Sequence, residues 1–240
     1  MRLVYGSAIA VAFALCTSSF VAGQAPAGQD GSVAIKDGGI FAKGWQGKID
    51  AQEEKAGQVL NNARLAEKGG VLSVRTGPAV TYWNPANRAS GNYTVKATFT
   101  ESNYMGLNDH PHPYGIFIGG NDLDTPDASL LYCAPYGSGT VIVRGFGGTT
   151  DGKAVTFQMN GRRGAPAPSV NKAEKGQSVT QEVMWTVKGD RAECSINGAV
   201  VAGYTKAELV GPGKLKSLDG VYGIRAAHNV EVIVSGFEKK

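Results

Sequence analysis

Between Asn92 and Phe99 the apolar residues Tyr93, Val95, Ala97 and Phe99 alternate with Thr94, Lys96 and Thr98. A strict period of two puts one set on a buried face and the other on a wet face, the mark of an extended strand. Further strand-like runs surround it. Val71 to Arg75 follows a Gly69-Gly70 turn, and Tyr114 to Gly120, Ser129 to Tyr132 and Thr140 to Arg144 are short and largely apolar. Val179 to Lys188 and Arg191 to Ile196 flank Gly189-Asp190 as a tight hairpin. Asn197-Gly198, whose residues both tolerate positive φ, predicts a two-residue turn into Ala199-Val200-Val201. Gly220 to Arg225 and Val230 to Phe237 close the series. About a dozen short strands at close spacing predict an all-β fold, an antiparallel β-sandwich or jelly roll.

Composition fits that reading. The 34 Gly and 10 Pro follow no G-X-Y period, which excludes collagen, and 42% hydrophobic residues suffice for a core. A sandwich often uses roughly 200–250 residues as one unit, so residues 40–240 are expected to form a single domain. Two stretches resist a strand assignment. Ala51 to Asn62 allows a turn or two of helix, interrupted by Gly57, and Asn160 to Gln177 is a long basic loop.

Residues 1–23 read as a secretory signal: Arg2, the apolar Ala8 to Leu15, and small residues at Val21-Ala22-Gly23 before Gln24. Thr17, Ser18 and Ser19 interrupt a run already shorter than the ~20 apolar residues that span a bilayer. Residues 24–39, small and glycine-rich, are expected to be a flexible linker. The mature chain is therefore expected to be exported, periplasmic or extracellular, without a membrane span. Cys16 would leave with the signal. Cys133 and Cys194 share strand faces with apolar neighbours, and two readings stay open for them, a disulfide or two buried thiols. The 24 basic and 20 acidic residues are scattered, so nucleic acid is not an expected partner.

The common catalytic signatures are absent: no nucleophile elbow (GxSxG), P-loop, dinucleotide fingerprint (GxGxxG), HExxH or paired CxxC. An E-x-D-x-x-E strand is also missing, which disfavours a two-carboxylate glycosidase. The polar residues that remain are few. His112 and His228 stand at strand ends, where imidazole can move a proton near neutral pH or simply bond backbone. His110 and His112 with Asp109 offer a divalent-metal alternative that lacks an evident fourth ligand, so no cofactor is assigned. The acidic loop Asn121 to Asp127 has oxygen donors but not the spacing of a calcium loop, and reads as a solvated turn. Arg144 and Arg225 interrupt apolar strands; an inward arginine would need a partner, so both are expected on an outer sheet face. Trp83, Tyr114, Tyr132 and Tyr136, together with Asn229, are candidates to hold a sugar, core packing being the alternative for the rings.

Three blocks in order carry a family resemblance. They are Tyr114-Gly115-Ile116-Phe117-Ile118-Gly119-Gly120; Trp185 to Asp190 leading to Ile196-Asn197-Gly198; and Gly220-Val221-Tyr222-Gly223-Ile224-Arg225 with Val230-Glu231-Val232 and Gly236-Phe237. This order resembles the bacterial exported 3-keto-disaccharide hydrolase family. The resemblance implies a concanavalin A-like lectin/glucanase sandwich, a carbohydrate or glycoside partner, and chemistry at a 3-keto sugar. There the ketone acidifies the C2 proton, a base removes it, and the enolate expels the glycosidic oxygen before water adds. On that resemblance His112 or His228 would be the base, Arg144 or Arg225 would stabilise the enolate, and Tyr114 and Tyr132 would hold the sugar. The alternative is a non-catalytic binding module at the cell surface or in the periplasm.

Overall fold

The computed structural model describes residues 31–240 apart from Gly152, so the expected signal at 1–23 and the linker up to residue 30 lie outside the described residues. Sixteen strands occur in it. The first eight are β1 (Gly39–Phe41), β2 (Gln46–Ile49), β3 (Arg64–Lys68), β4 (Val71–Arg75), β5 (Val80–Ala89), β6 (Tyr93–Glu101), β7 (Tyr114–Asn121) and β8 (Ser129–Tyr136). The remainder are β9 (Thr140–Thr150), β10 (Lys153–Gln158), β11 (Ala165–Pro166), β12 (Val179–Lys188), β13 (Arg191–Ile196), β14 (Ala199–Thr205), β15 (Gly220–Ala226) and β16 (Glu231–Lys239). Two short helices, α1 (Ala51–Lys55) and α2 (Lys206–Leu209), complete the elements used below. Among the described residues no helix is long and apolar enough to cross a membrane.

The strands form an antiparallel β-sandwich. The first sheet has the order β1-β3-β4-β16-β6-β12-β13-β14, with β1 joining β3 in parallel; the second runs β10-β9-β8-β7-β15-β5-β2, with β11 beside β9. Neighbours in space are often distant in sequence, as where β15 sits between β5 and β7. The chain from Ser32 to Lys240 forms one compact unit.

Local rules account for most of the framework. Asn197 and Gly198 both take positive φ, at 51° and 83°, closing the turn that pairs Ile196 with Ala199. In β6, Tyr93, Val95, Ala97 and Phe99 are buried while Thr94, Lys96 and Thr98 are only partly so. Strand β5 is absent from the sequence expectation because Asn84 to Asn87 is polar and contains Pro85. The pairing with β15 steps from Arg88↔Val221 to Trp83↔Gly223, so Pro85 lies in a bulge, where its missing N–H breaks no regular pairing.

Between the sheets, Phe99 stacks on Tyr114 with centroids 5.7 Å apart, and the Trp185 indole N–H donates to the Ile116 carbonyl at 3.1 Å. Cys133 of β8 and Cys194 of β13 are joined by a disulfide, tying the second sheet to the first through the core. Residues 32–38, expected within the flexible linker, are tied down instead. Ser32 donates to Glu53 at 2.6 Å, the Val33 N–H to Asn229 Oδ1 at 2.9 Å and the Ile35 N–H to the Asn62 carbonyl at 3.0 Å.

Candidate functional site

The two outer faces of the sandwich differ in chemistry. On the first sheet β6 turns Thr94, Lys96 and Thr98 outward, β12 turns Glu182, Met184 and Thr186 outward and β16 exposes Ile233, so that surface is mostly polar with single apolar residues. On the second sheet the outward positions of β5, β7, β8, β9 and β15 carry Trp83, Phe117, Leu130, Tyr132, Ile142 and Val221. These residues form an apolar cluster of their own with Leu123, and Tyr136 and Phe146 are half-buried at its margin.

Register assembles this cluster. Gly223 stands between Trp83 and Phe117, and Tyr132 stands between Phe117 and Arg144, so the five positions make one row across the sheet. A Cβ at position 223 would run into the Tyr82 carbonyl oxygen and the Phe117 ring, so glycine is what lets that ring settle onto the strand.

Arg225 lies in the same face and is 6% exposed. Its Nη1 and Nη2 donate to Asp50 Oδ1 and Oδ2 at 2.7 and 2.5 Å, and Nη1 donates to the Thr81 hydroxyl at 3.3 Å. The guanidinium carbon is 5.6 Å from the Tyr132 ring centre and 5.3 Å from that of Phe146. Burial works against the cation and Asp50 outweighs it, so the arginine is held charged and neutralised. Arg144 is different. It is half-buried, its Nη2 donates to the Arg162 carbonyl at 3.2 Å, and its buried Nε has no hydrogen-bond partner. Burial raises the Tyr136 phenol above its ordinary value, with the nearby Arg144 acting in the opposite direction.

The histidines gather elsewhere, at the end of the sandwich. His112 is 6% exposed, its ring stacks on His228 with centroids 4.2 Å apart, and His110 meets it edge-on at 4.4 Å. Burial, then the neighbouring His228, lower the His112 pKa to about 4, so this imidazole is neutral at neutral pH. Its Nδ1 lies 2.6 Å from the His228 carbonyl oxygen and therefore carries the ring hydrogen; its Nε2 lies 2.8 Å from His110 Nε2, and His110 Nδ1 lies 2.7 Å from Asp109 Oδ1. His228 Nδ1 lies 3.4 Å from the Ser32 hydroxyl. Close by, burial lifts Glu101 to about 7 against the opposing Met105 N–H, which donates to it at 3.0 Å. The Tyr114 hydroxyl beside it acts on the same carboxyl, while burial and then Glu101 push the phenol well above its ordinary value.

The expected site residues thus divide. Arg144, Arg225, Trp83, Tyr132 and Tyr136 come together on the outer face of the second sheet. His112 and His228 form a separate group, and both ring nitrogens of His112 are engaged. Tyr114 is corrected: it is fully buried between the sheets against Phe99, out of reach of a sugar, because β7 is apolar on both faces and its inner face takes the tyrosine. Asn229 is corrected as well. It is 2% exposed in a left-handed turn, its N–H donating to Gly77 and its carbonyl accepting from Asn108. Asp50, Phe117 and Phe146 went unseen in the sequence; the one available signal was that a buried arginine demands a carboxylate.

Among the described residues no three His, Cys, Asp or Glu are arranged to hold a metal ion. In the acidic loop Lys216 bridges Asp122, at 2.6 Å, and Asp127, so an internal ammonium supplies the positive charge there.

No protein-family model matches the chain, and no curated protein matches it in sequence. Among solved structures, a Bacillus subtilis protein of unknown function with a galectin-like fold aligns at TM-score 0.50 and 13% identity, over 82% of this chain and 89% of that one. The carbohydrate binding module CBM66 from Bacillus subtilis aligns at TM-score 0.47 and 9% identity, over 85% and 99% of the two chains. An endo-beta-1,3-glucanase from Pyrococcus furiosus aligns at 0.46 and 12%, over 79% and 85%. At such identities the likeness is one of fold, and it rests on the first of these together with the strand order: a galectin-like, concanavalin A-like sandwich. The resemblance carried by the closing strands stays at that level.

Proposed function

We propose that the chain is an exported carbohydrate-binding β-sandwich whose sugar meets the outer face of the second sheet at Arg144, Tyr136 and Phe146. The observation that carries this reading is the aromatic row with two arginines at the outward positions of the second sheet, buried at its centre and half-exposed at Tyr136, Phe146 and Arg144. Sugars present flat C–H faces edged by hydroxyls, and rings set beside planar donors match both. Trp83, Phe117 and Tyr132 make a rigid floor, Tyr136 and Phe146 offer the accessible ring surface, and Arg144 stands half-buried at the end of the row. The Cys133–Cys194 bond supports export, since such bridges persist in oxidising compartments.

Elimination from a 3-keto-glycoside is the finer expectation, and it needs a base beside the enolate-stabilising arginine. His112 and His228 stand in a group apart from the aromatic face that holds both arginines, which supports binding over turnover. Incubating the full chain with a glycan array and with a 3-keto-glucoside panel tests both. Retention of a subset of glycans is expected, weakened about tenfold by Phe146→Ala, with the 3-keto-glucosides left intact. A chain that retains no glycan refutes the binding reading, and consumption of a 3-keto-glucoside refutes a purely binding role.

A further inference from the structure

Resting on that reading, we propose that the loop joining β7 to β8 is a lid: Leu123 occupies the part of the sugar face above Trp83 and Phe117, and an oligosaccharide displaces it. Among the described residues Leu123 is the one member of the apolar cluster that comes from a loop; the others lie on β5, β7, β8, β9 and β15. Of residues 121–128 it alone is buried. A Cβ on Gly120 would stand 2.8 Å from Phe117 Cε2 and 3.1 Å from Leu123 Cδ1, so the leucine tip lies beside that ring. The loop also reaches beyond its own two strands. Lys48 Nζ of β2 donates to the Thr125 carbonyl at 2.5 Å, and β15, β5 and β2 follow β7 in the sheet. Three strand spacings are about 14 Å, more than a lysine side chain covers, so the loop lies back across the outer face.

The attachments of this loop are unequal. At its ends the Asn121 amide donates to the Gly119 and Asp219 carbonyls, each at 3.1 Å, the Ala128 carbonyl accepts from the Gly148 N–H at 3.0 Å, and Lys216 joins Asp122 to Asp127. Between them the Thr125 N–H and hydroxyl donate to the Asp122 carbonyl at 3.0 and 2.9 Å, so the tip keeps its own shape. Among the described residues that tip is held to the face by the Leu123 side chain and the Lys48 bond. Fixed ends and a lightly held middle let a segment open without unfolding the sheet beneath. Leucine methyls on an aromatic floor sit where a sugar would lay its C–H face. The row from Arg144 through Tyr132, Phe117 and Gly223 to Trp83 crosses four strand spacings, about 19 Å, room for an oligosaccharide. With the lid closed a single sugar meets Phe146 and Arg144, and the apparent affinity for longer chains is lowered by the fraction of open molecules.

The glycan array, read as a dilution series of the full chain and of two variants, tests this. Leu123→Ala removes the plug and is expected to tighten oligosaccharide binding about tenfold, with monosaccharides unchanged. Lys48→Met removes the pin and is expected to tighten it about threefold; lying on an edge strand, it decides the matter if Leu123→Ala does not fold. A second readout needs no glycan. Trp45→Phe leaves Trp83 and the fully buried Trp185 as the emitting residues, and acrylamide quenching is expected to rise in both variants as Trp83 is uncovered. Oligosaccharide binding that is unchanged or weaker in both variants, or a Trp83 that stays shielded from quencher, overturns the lid and leaves carbohydrate binding standing. Retention of no glycan by the parent removes both readings.

Discussion

Replacing Cys133 and Cys194 together with alanine removes the covalent tie between the two sheets. The bridge closes a loop with a sequence separation of 61, running from β8 through β9 to β12 and into β13. In the chain-entropy description a loop of that size restricts the unfolded ensemble by about 4 kcal/mol at room temperature. Both half-cystines sit fully buried among apolar neighbours, so the two alanines also lose some packing, in the same direction. For a domain of this size the loss corresponds to a melting temperature lower by roughly 10 °C. Calorimetry of the double variant beside the parent, each with and without reductant, measures it, and a thiol titration in denaturant counts the bridge directly. The parent should gain two thiols on reduction and its melt should fall towards that of the variant. A variant that melts within about 2 °C of the parent, or a denatured parent that shows both thiols before reduction, would refute the reasoning.

Two further outcomes follow from buried charge. Asp50→Asn leaves the Arg225 guanidinium buried without its carboxylate and should cost about 3–5 kcal/mol in urea unfolding, while adding Arg225→Met recovers part of that; an unchanged urea midpoint would count against a neutralised, buried arginine. The second concerns pH. Native Glu101 keeps its proton to about 7 against an ordinary 4.5, so its contribution is full at low pH and is lost as pH rises through that window. Native His112 stays neutral down to about 4 against an ordinary 6.5, so its contribution is full above that value and is lost as pH falls. The two slopes oppose each other, each by up to ~1.4 kcal/mol per pH unit. Glu101→Gln should therefore steepen the loss of stability on acidification from 6.5 to 4, and His112→Gln the loss on raising pH from 4.5 to 7. Urea midpoints that track the parent at every pH would show that neither group titrates as described.

Legibility differed between the framework and the site. Both arginines were readable as outward-facing because an inward arginine would need a partner, and their strand neighbours Ile224 and Val143 do point inward. No such rule placed Tyr114. In Tyr114 to Gly120 both faces are apolar, and only the packing of Phe99 decides which set is inside. Three histidines at two strand ends did promise a cluster, and one formed. Its contacts depend on loop geometry that residue types do not encode, and that geometry sets His110 against the Nε2 of His112.

By itself the sequence determined most of the longer strands, the closing turns and the sandwich class, since side-chain alternation and the tolerance of Asn197-Gly198 for positive φ are local properties of the chain. Tertiary structure decided which residues meet. Arg225 finds Asp50 175 positions away, and the choice among 20 acidic residues rests on a sheet order that brings β15 between β5 and β7. The pairing of Cys133 with Cys194 likewise depends on two sheets facing across one core. Electrostatics and covalent bonds act over a few ångströms, and distance in space is what period and composition leave open.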